Sequence, residues 1–354
     1  MLSYDAVLTL VSEELSRLLV TDIHPHCVHV DVNNDTLFVK VSIPCKRIAG
    51  DLQHTLANHP DLVNDYQAIQ VEQGIPANVQ QHDGGSVAGI KNIVAIASAK
   101  GGVGKSTTAA NIALALAHEG AQVGVLDADI YGPSQPQMLA AAGQKPVVVG
   151  GKTVKPISTY GLQLMSMGNL VDATTAMVWR GPMATGALQQ LLRNTEWGAL
   201  DYLIIDMPPG TGDIQLTLAQ TVSVSAAVIV TTPQEIALLD AKKGIEMFRK
   251  VNIPIAGIVE NMSMHICTAC GHQEAIFGEK GGHALAQQYH TRLLGQLPLQ
   301  KDIRENADSG KPSVIADPES PASVHYRHIA LQLAQYLAEQ SANAAGPEIL
   351  IEDN

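Results

Sequence analysis

One stretch constrains this chain more than any other: Ile93-Val-Ala-Ile-Ala-Ser-Ala-Lys-Gly-Gly-Val-Gly-Lys-Ser-Thr107. Five apolar residues predict a buried strand. The glycines behind it predict a turn, and the Ala-rich run after Lys105 predicts a helix. A turn in that place points its backbone N–H groups, and the positive end of the helix, at phosphate oxygens. The predicted cradle comprises Ala99, Lys100, Gly101, Gly102, Val103, Gly104, Lys105, Ser106 and Thr107. Lys105 is expected to reach the β and γ phosphates, and Ser106 to hold Mg²⁺. The chain departs from the pattern G-x-x-x-x-G-K-[ST] at one position, where Ala99 stands in place of the first glycine.

Two acidic segments extend this reading. Val125-Leu-Asp-Ala-Asp129 places Asp127 and Asp129 two residues apart at a strand's end, so both can sit at the edge where α/β sheets bind ligands. Asp129 is the candidate for polarising an attacking water, and Asp127 for supporting the metal shell. Leu203-Ile-Ile-Asp206 is a buried strand ending in a carboxylate, which places Asp206 on Mg²⁺ through water. Pro208-Pro-Gly-Thr-Gly-Asp213 follows as a candidate γ-phosphate switch. Taken alone, each aspartate has an alternative reading as a helix cap or turn residue. The three elements in order read as a nucleotide site, with ATP as cofactor and Lys100, Lys105, Asp129 and Asp206 as catalytic candidates.

Around this site, strands are predicted at 92–98, 123–127, 202–206, 226–231, 255–260 and 293–297, alternating with helices such as 106–118 and 233–251. That alternation predicts a mostly parallel sheet flanked by helices, an α/β fold of the P-loop NTPase type. Aromatics are only 4% of the chain, so Ala, Val, Ile and Leu must build its core. A small α/β domain is expected over residues 1–75, in the order α-β-β-α-β. A Gly-containing linker follows at 76–90, then the ATPase domain at 91–340 and a frayed tail at 341–354.

The net charge of −12 argues against a nucleic-acid partner, because that affinity comes mostly from Lys and Arg on phosphates. No apolar run approaches the roughly 20 residues that span a bilayer. The N-terminal segment lacks the basic start of a secretion signal. A cytoplasmic protein without membrane contact is therefore expected. Four cysteines in such a compartment do not read as a disulfide framework.

Cys267 and Cys270 form Cys-x-x-Cys, the spacing at which two thiolates chelate one metal. A tetrahedral site needs four ligands. Three readings stay open: a zinc site completed by His265 or His272, a redox dithiol, or one Fe–S cluster shared by two chains.

Ala99-Lys-Gly-Gly-Val-Gly-Lys-Ser106 resembles the deviant phosphate loop of the MinD, ParA and nitrogenase-iron-protein class. The resemblance implies an ATP-dependent homodimer in which Lys100 crosses to the other subunit's nucleotide. Further segments resemble the Mrp/ApbC family of iron–sulfur cluster carrier ATPases. They are Asp129-Ile-Tyr-Gly-Pro-Ser134, Trp179-Arg-Gly-Pro-Met183, Trp197 through Asp213, Thr231-Thr-Pro-Gln-Glu235, Glu260-Asn-Met-Ser263, Cys267-x-x-Cys270 and Ile276-Phe-Gly278. That resemblance implies a labile 4Fe–4S cluster held between protomers by Cys267 and Cys270. It also implies adenine contacts from Asn261 and the region of Pro298, apo iron–sulfur clients, and cluster donors. The first 75 residues resemble a metal–sulfur cluster assembly domain. The cysteine segment of that domain reads here as Ile43-Pro-Cys45-Lys46, and Cys45 is taken as a buried or accessory thiol. Rival readings are a partition or positioning ATPase, an electron-donating reductase component, and an ATPase with structural zinc.

Overall fold

The computed structural model describes residues 2–78, 87–169, 181–267 and 269–345. The chain divides into two units. One takes the residues up to Asn78 together with those from Ala334 onward, and the other takes Val79–Leu333.

The smaller unit begins with α1, Tyr4–Leu19. Ser3 caps it, its hydroxyl accepting from the Ala6 N–H at 3.3 Å, and Asp5 lies in the first turn. Val7, Val11, Leu15 and Leu19, spaced four apart, form its buried stripe. β1 (Val28–Asn33) and β2 (Thr36–Val41) pair antiparallel, with Val28 opposite Val41. Asn34 and Asp35 turn the hairpin, both at positive φ, the conformation a tight hairpin demands. After α2 (Ala49–Ala57), β3 (Ala68–Gln73) adds parallel to β2. Cys27 and Cys45 are both fully buried in this unit.

The larger unit runs through β4 (Ile90–Ala97), α3 (Lys105–His118), β5 (Val123–Asp127) and the one-turn α4 (Gln135–Met138). A hairpin of β6 (Val147–Val149) and β7 (Thr153–Lys155) comes next. It is followed by β8 (Ile157–Thr159), β9 (Leu162–Ser166), α5 (Gly181–Asn194) and β10 (Leu200–Asp206). The chain continues with α6 (Asp213–Thr221), β11 (Ala226–Thr231), α7 (Glu235–Lys250) and β12 (Ile255–Glu260). A small ribbon of β13 (His265–Ile266) and β14 (Gln273–Glu274) precedes α8 (Gly281–Gln288) and β15 (Leu293–Gln296). The last helices are α9 (Lys301–Asp308), α10 (Ser313–Ala316) and α11 (Pro321–Ala345).

Eight strands form one sheet in the order β15-β12-β11-β4-β10-β5-β9-β8, parallel throughout except for β8 against β9. β4, β10 and β11 are central and almost wholly buried, so they are near-continuous in Ile, Val, Leu and Ala. Their C-terminal ends converge on one edge, and that edge carries the site.

Two features differ from the sequence expectation. β8 and β9 widen the sheet beyond the six predicted strands; they are short and joined by the left-handed turn Tyr160–Gly161, so periodicity does not mark them. The tail expected to fray from Ser341 is helical through Ala345, and residues from Ala334 belong with the smaller unit rather than with the ATPase domain. Alanine is the strongest helix former, and Ala334, Leu337 and Ala338 are buried, which holds this end in place. The linker glycines Gly84 and Gly85 and the tail after Ala345 lie outside the described residues.

Candidate functional site: a phosphate loop joined to a dithiol turn

The phosphate loop spans the end of β4 and the start of α3. Gly102 and Gly104 have φ of 80° and 85°, the left-handed region that a side chain resists. Gly104 is doubly constrained, because a Cβ there would stand 2.1 Å from the Asn261 amide. Ala99 has no such demand; its φ is not positive, and it faces Gly244 of α7, where the space admits its methyl. The departure from the glycine pattern is therefore sterically neutral. Lys100 is exposed on the loop, and its carbonyl accepts from the Ser98 hydroxyl at 2.9 Å.

Lys105 is buried and ion-paired with Asp206, which has no exposed surface. Its ammonium also lies 3.2 Å from the Ser106 hydroxyl. Asp206 ends β10 directly beside Asp127 at the end of β5. Asp127 accepts from the Asp129 N–H at 3.2 Å, the Gln135 N–H at 3.1 Å and the Ser166 hydroxyl at 3.2 Å. Burial first, then the neighbouring Asp206 charge, push the Asp127 carboxyl up to about 8. Burial also raises Asp129, against the pull of Lys105, and the Gly132 N–H fixes its Oδ1 at 3.2 Å. The Ser106 hydroxyl and Asp206 carboxylate are hard oxygen donors of the kind Mg²⁺ takes beside phosphates, so the residues fit that ion. The switch segment reaches the same place, with the Gly210 N–H donating to the Ser98 carbonyl at 2.9 Å.

A cavity of about 330 Å³ opens beside the loop, lined among others by Gly104, Thr107, Met138, Asn261, Pro298 and Leu299. Apolar walls with a few polar groups suit a nucleoside base. Asn261 closes the cavity against the loop, donating its amide to the Val103 carbonyl at 2.9 Å.

From Asn261 the chain runs directly to the cysteines. The Asn261 N–H is held by the Thr231 carbonyl at 2.8 Å. The Ser263 N–H binds the Leu297 carbonyl at 3.0 Å, and the Leu299 N–H binds the Met264 carbonyl at 2.8 Å. His265 Nδ1 lies 3.2 Å from the Leu299 carbonyl. Two residues later Cys267 opens a turn closed by its N–H to the His272 carbonyl at 2.9 Å and by the Gly271 N–H to the Cys267 carbonyl at 2.8 Å. Cys267 is half-exposed and Cys270 exposed. The N–H groups of Cys270 and then Ala269 point at the Cys267 sulfur and hold its thiol below the ordinary value. No third His, Cys, Asp or Glu joins the pair to make a metal-binding group among the described residues. His265 Nδ1 faces the Leu299 carbonyl, and the His272 carbonyl closes the turn.

Two other segments singled out in the sequence meet nearby. Pro233 and the stretch Phe277–Gly281 line one groove of about 600 Å³ against α7. Glu260, buried at the end of β12, accepts from the Gly282 N–H and from the Gln296 amide at 2.6 Å, which ties β12 to the start of α8. Trp179 and Arg180 lie outside the described residues. Periodicity missed Gln135, which is buried and bonded to both Ser106 and Asp206; its only signal is its place right after Asp129–Ser134. It likewise missed Met138 and the α9 face of the cavity, because the topology alone brings them there.

A family model described as ParA, NUBPL iron-transfer P-loop NTPase, matches residues 89–334. The chain is 63% identical over 246 residues to the iron-sulfur cluster carrier protein of Pseudomonas fragi, covering 69% of this chain and 86% of that one. It is 49% identical over 253 residues to the iron-sulfur cluster transfer protein NUBPL of Mus musculus, covering 71% and 79%. Among solved structures, it is similar to a nucleotide-binding protein in complex with ADP from Archaeoglobus fulgidus. That match has 35% identity and a TM-score of 0.58, over 66% of this chain and 91% of the other. The cell division ATPase MinD of Pyrococcus furiosus, at 23% identity and a TM-score of 0.53 over 68% and 98%, shares the fold.

Proposed function

The chain belongs to the ParA/NUBPL iron-transfer P-loop NTPase family, which includes the Mrp/ApbC carriers, and on that premise we propose that it is an ATP-hydrolysing carrier of iron–sulfur clusters. The observation that carries this reading is the continuity of one short segment. Asn261 touches the phosphate loop at one end, and Cys267 presents a low-lying thiol at the other. A nucleotide that moves the first can therefore move the second.

In this reading the cargo is a 4Fe–4S cluster. Each chain offers two thiolates, Cys267 and Cys270, and a two-fold axis supplies the four that a cluster takes. Lys100 is exposed on the loop; in this reading it reaches the nucleotide of a second subunit, which makes the homodimer ATP-dependent. Clients are apo iron–sulfur proteins, and the carrier works in the cytoplasm.

Hydrolysis needs positioning and charge neutralisation rather than covalent chemistry. The loop N–H groups of Gly101 to Thr107 hold the phosphates. Lys105 exchanges Asp206 for the β and γ phosphates. Ser106, and Asp206 through water, would hold Mg²⁺, which would neutralise charge on the phosphate oxygens when bound. Asp129 orients the attacking water, Asp127 steadies the Asp129 backbone, and Asn261 lies against the base.

The test is anaerobic reconstitution with iron and sulfide, read as metal and sulfide per dimer and as ATP-dependent transfer to an apo-ferredoxin. Four irons per dimer, lost in Cys267→Ala with ATP binding intact, is the expected result. A tightly held zinc with no cluster absorbance would overturn the reading.

A further inference from the structure

Gln135 is fully buried, and its side chain serves two acceptors at once. Nε2 donates to the Ser106 carbonyl and to Asp206 Oδ2, each at 2.9 Å. Its backbone N–H donates to Asp127 Oδ2 at 3.1 Å. One residue thus ties together the phosphate loop and the two carboxylate-bearing strand ends. The other atom of the same amide, Oε1, is buried and has no hydrogen-bond partner among the described residues. Turning the amide over does not relieve this, because its oxygen would then face two acceptors.

Leaving a buried acceptor unpaired is destabilising, because its desolvation is not offset by a hydrogen bond. Such an amide is suited to a donor that the protein itself does not supply. It braces the Asp206 carboxylate and the backbone of Ser106, the two residues that carry the candidate Mg²⁺ donors, and a water bound to a cation is a strong donor. Gln135 also heads α4, whose Met138 lines the base cavity, so the amide connects the base end of the site to its metal end.

We propose that Gln135 is a positioning residue for the Mg²⁺ site. Nε2 sets the orientation of the Asp206 carboxylate, and Oε1 accepts a hydrogen bond from a water in the ion's shell. The proposal rests on the nucleotide reading above and assigns a residue that phosphate-loop patterns do not include.

The experiment measures ADP affinity by calorimetry in Mg²⁺ and in EDTA, for the whole chain and for Gln135→Met and Gln135→Asn. Asparagine retains the amide but retracts it by one methylene. Residues behind metal ligands are worth about 10–100-fold in metal affinity. The expected result is a Mg²⁺ enhancement of ADP binding that falls about tenfold in both variants, with affinity in EDTA unchanged. An unchanged enhancement, or an equal loss with and without Mg²⁺, would overturn the proposal and leave Gln135 a packing residue. If the unsubstituted protein itself gains nothing from Mg²⁺, the nucleotide reading fails before either variant is compared.

Discussion

The side-chain amide of Asn261 donates to the Val103 carbonyl at 2.9 Å, and this single bond fastens the end of β12 to the phosphate loop. The fit is close, because Gly104 has no room for a methyl beside that amide. Asn261→Ala removes one neutral hydrogen bond, worth about 1 kcal/mol. ADP affinity should drop about fivefold. Iron release to a chelator from the reconstituted protein should lose its response to ATP. A variant that still releases iron faster or slower with ATP would show that the signal travels elsewhere.

The ion pair of Lys105 with Asp206 is almost inaccessible to solvent. Breaking one partner leaves the other charge buried and uncompensated. Lys105→Met should abolish hydrolysis and lower stability by about 3 kcal/mol in urea melts. Adding Asp206→Asn should restore most of that stability and none of the activity. A double variant no more stable than the single one would mean the pair contributes little.

Asp127 gives the protein a pH dependence of defined sign. In the fold its carboxyl holds a proton up to about 8, whereas the unfolded chain releases it near 3.8. Between those values the unfolded state binds fewer protons, so rising pH favours unfolding. The contribution is complete below 3.8 and disappears as pH passes about 8. In EDTA, thermal midpoints should therefore decline across that window, and Asp127→Asn should flatten the decline. Parallel curves for the two proteins would assign the dependence to other groups.

The four thiols should separate in reactivity. Cys267 is accessible and its thiolate is favoured by the Cys270 and Ala269 N–H groups, while Cys27 and Cys45 are buried. Brief alkylation of the native protein, located by mass spectrometry, should mark Cys267 and Cys270 well before the other two. The Cys267 rate should level off below the pH typical of an ordinary thiol. Early labelling of Cys45 would mean that the smaller unit opens readily.

Lys100 is exposed, and the role proposed for it depends on a second subunit. Lys100→Ala should leave ADP affinity within about twofold, as surface substitutions usually do, and reduce hydrolysis at least about tenfold. Light scattering with a non-hydrolysable ATP analogue should show dimers for the parent and monomers for the variant. Equal dimerisation by both proteins would remove Lys100 from the interface.

The local code was legible in the chain because its information is short-range. A buried strand, two left-handed glycines, Lys105-Ser106 and an Ala-rich helix together dictate a phosphate cradle, whatever surrounds them. Strand ends such as Leu203–Asp206 announce themselves in the same way, by apolar runs that stop at a charge. Cys267 and Cys270 are visible as a chelating pair for the same reason. What tertiary structure decided are relationships among residues far apart in sequence. The sheet order sets β10 between β4 and β5, and only that order brings Asp206 beside Asp127 and within reach of Gln135. The return of the chain through β15 places Leu297–Leu299 along the Asn261–Cys267 segment, so that the cavity beside the phosphate loop and the dithiol turn share one backbone. No periodicity encodes such meetings, because they depend on which strands become neighbours once the whole core has been buried.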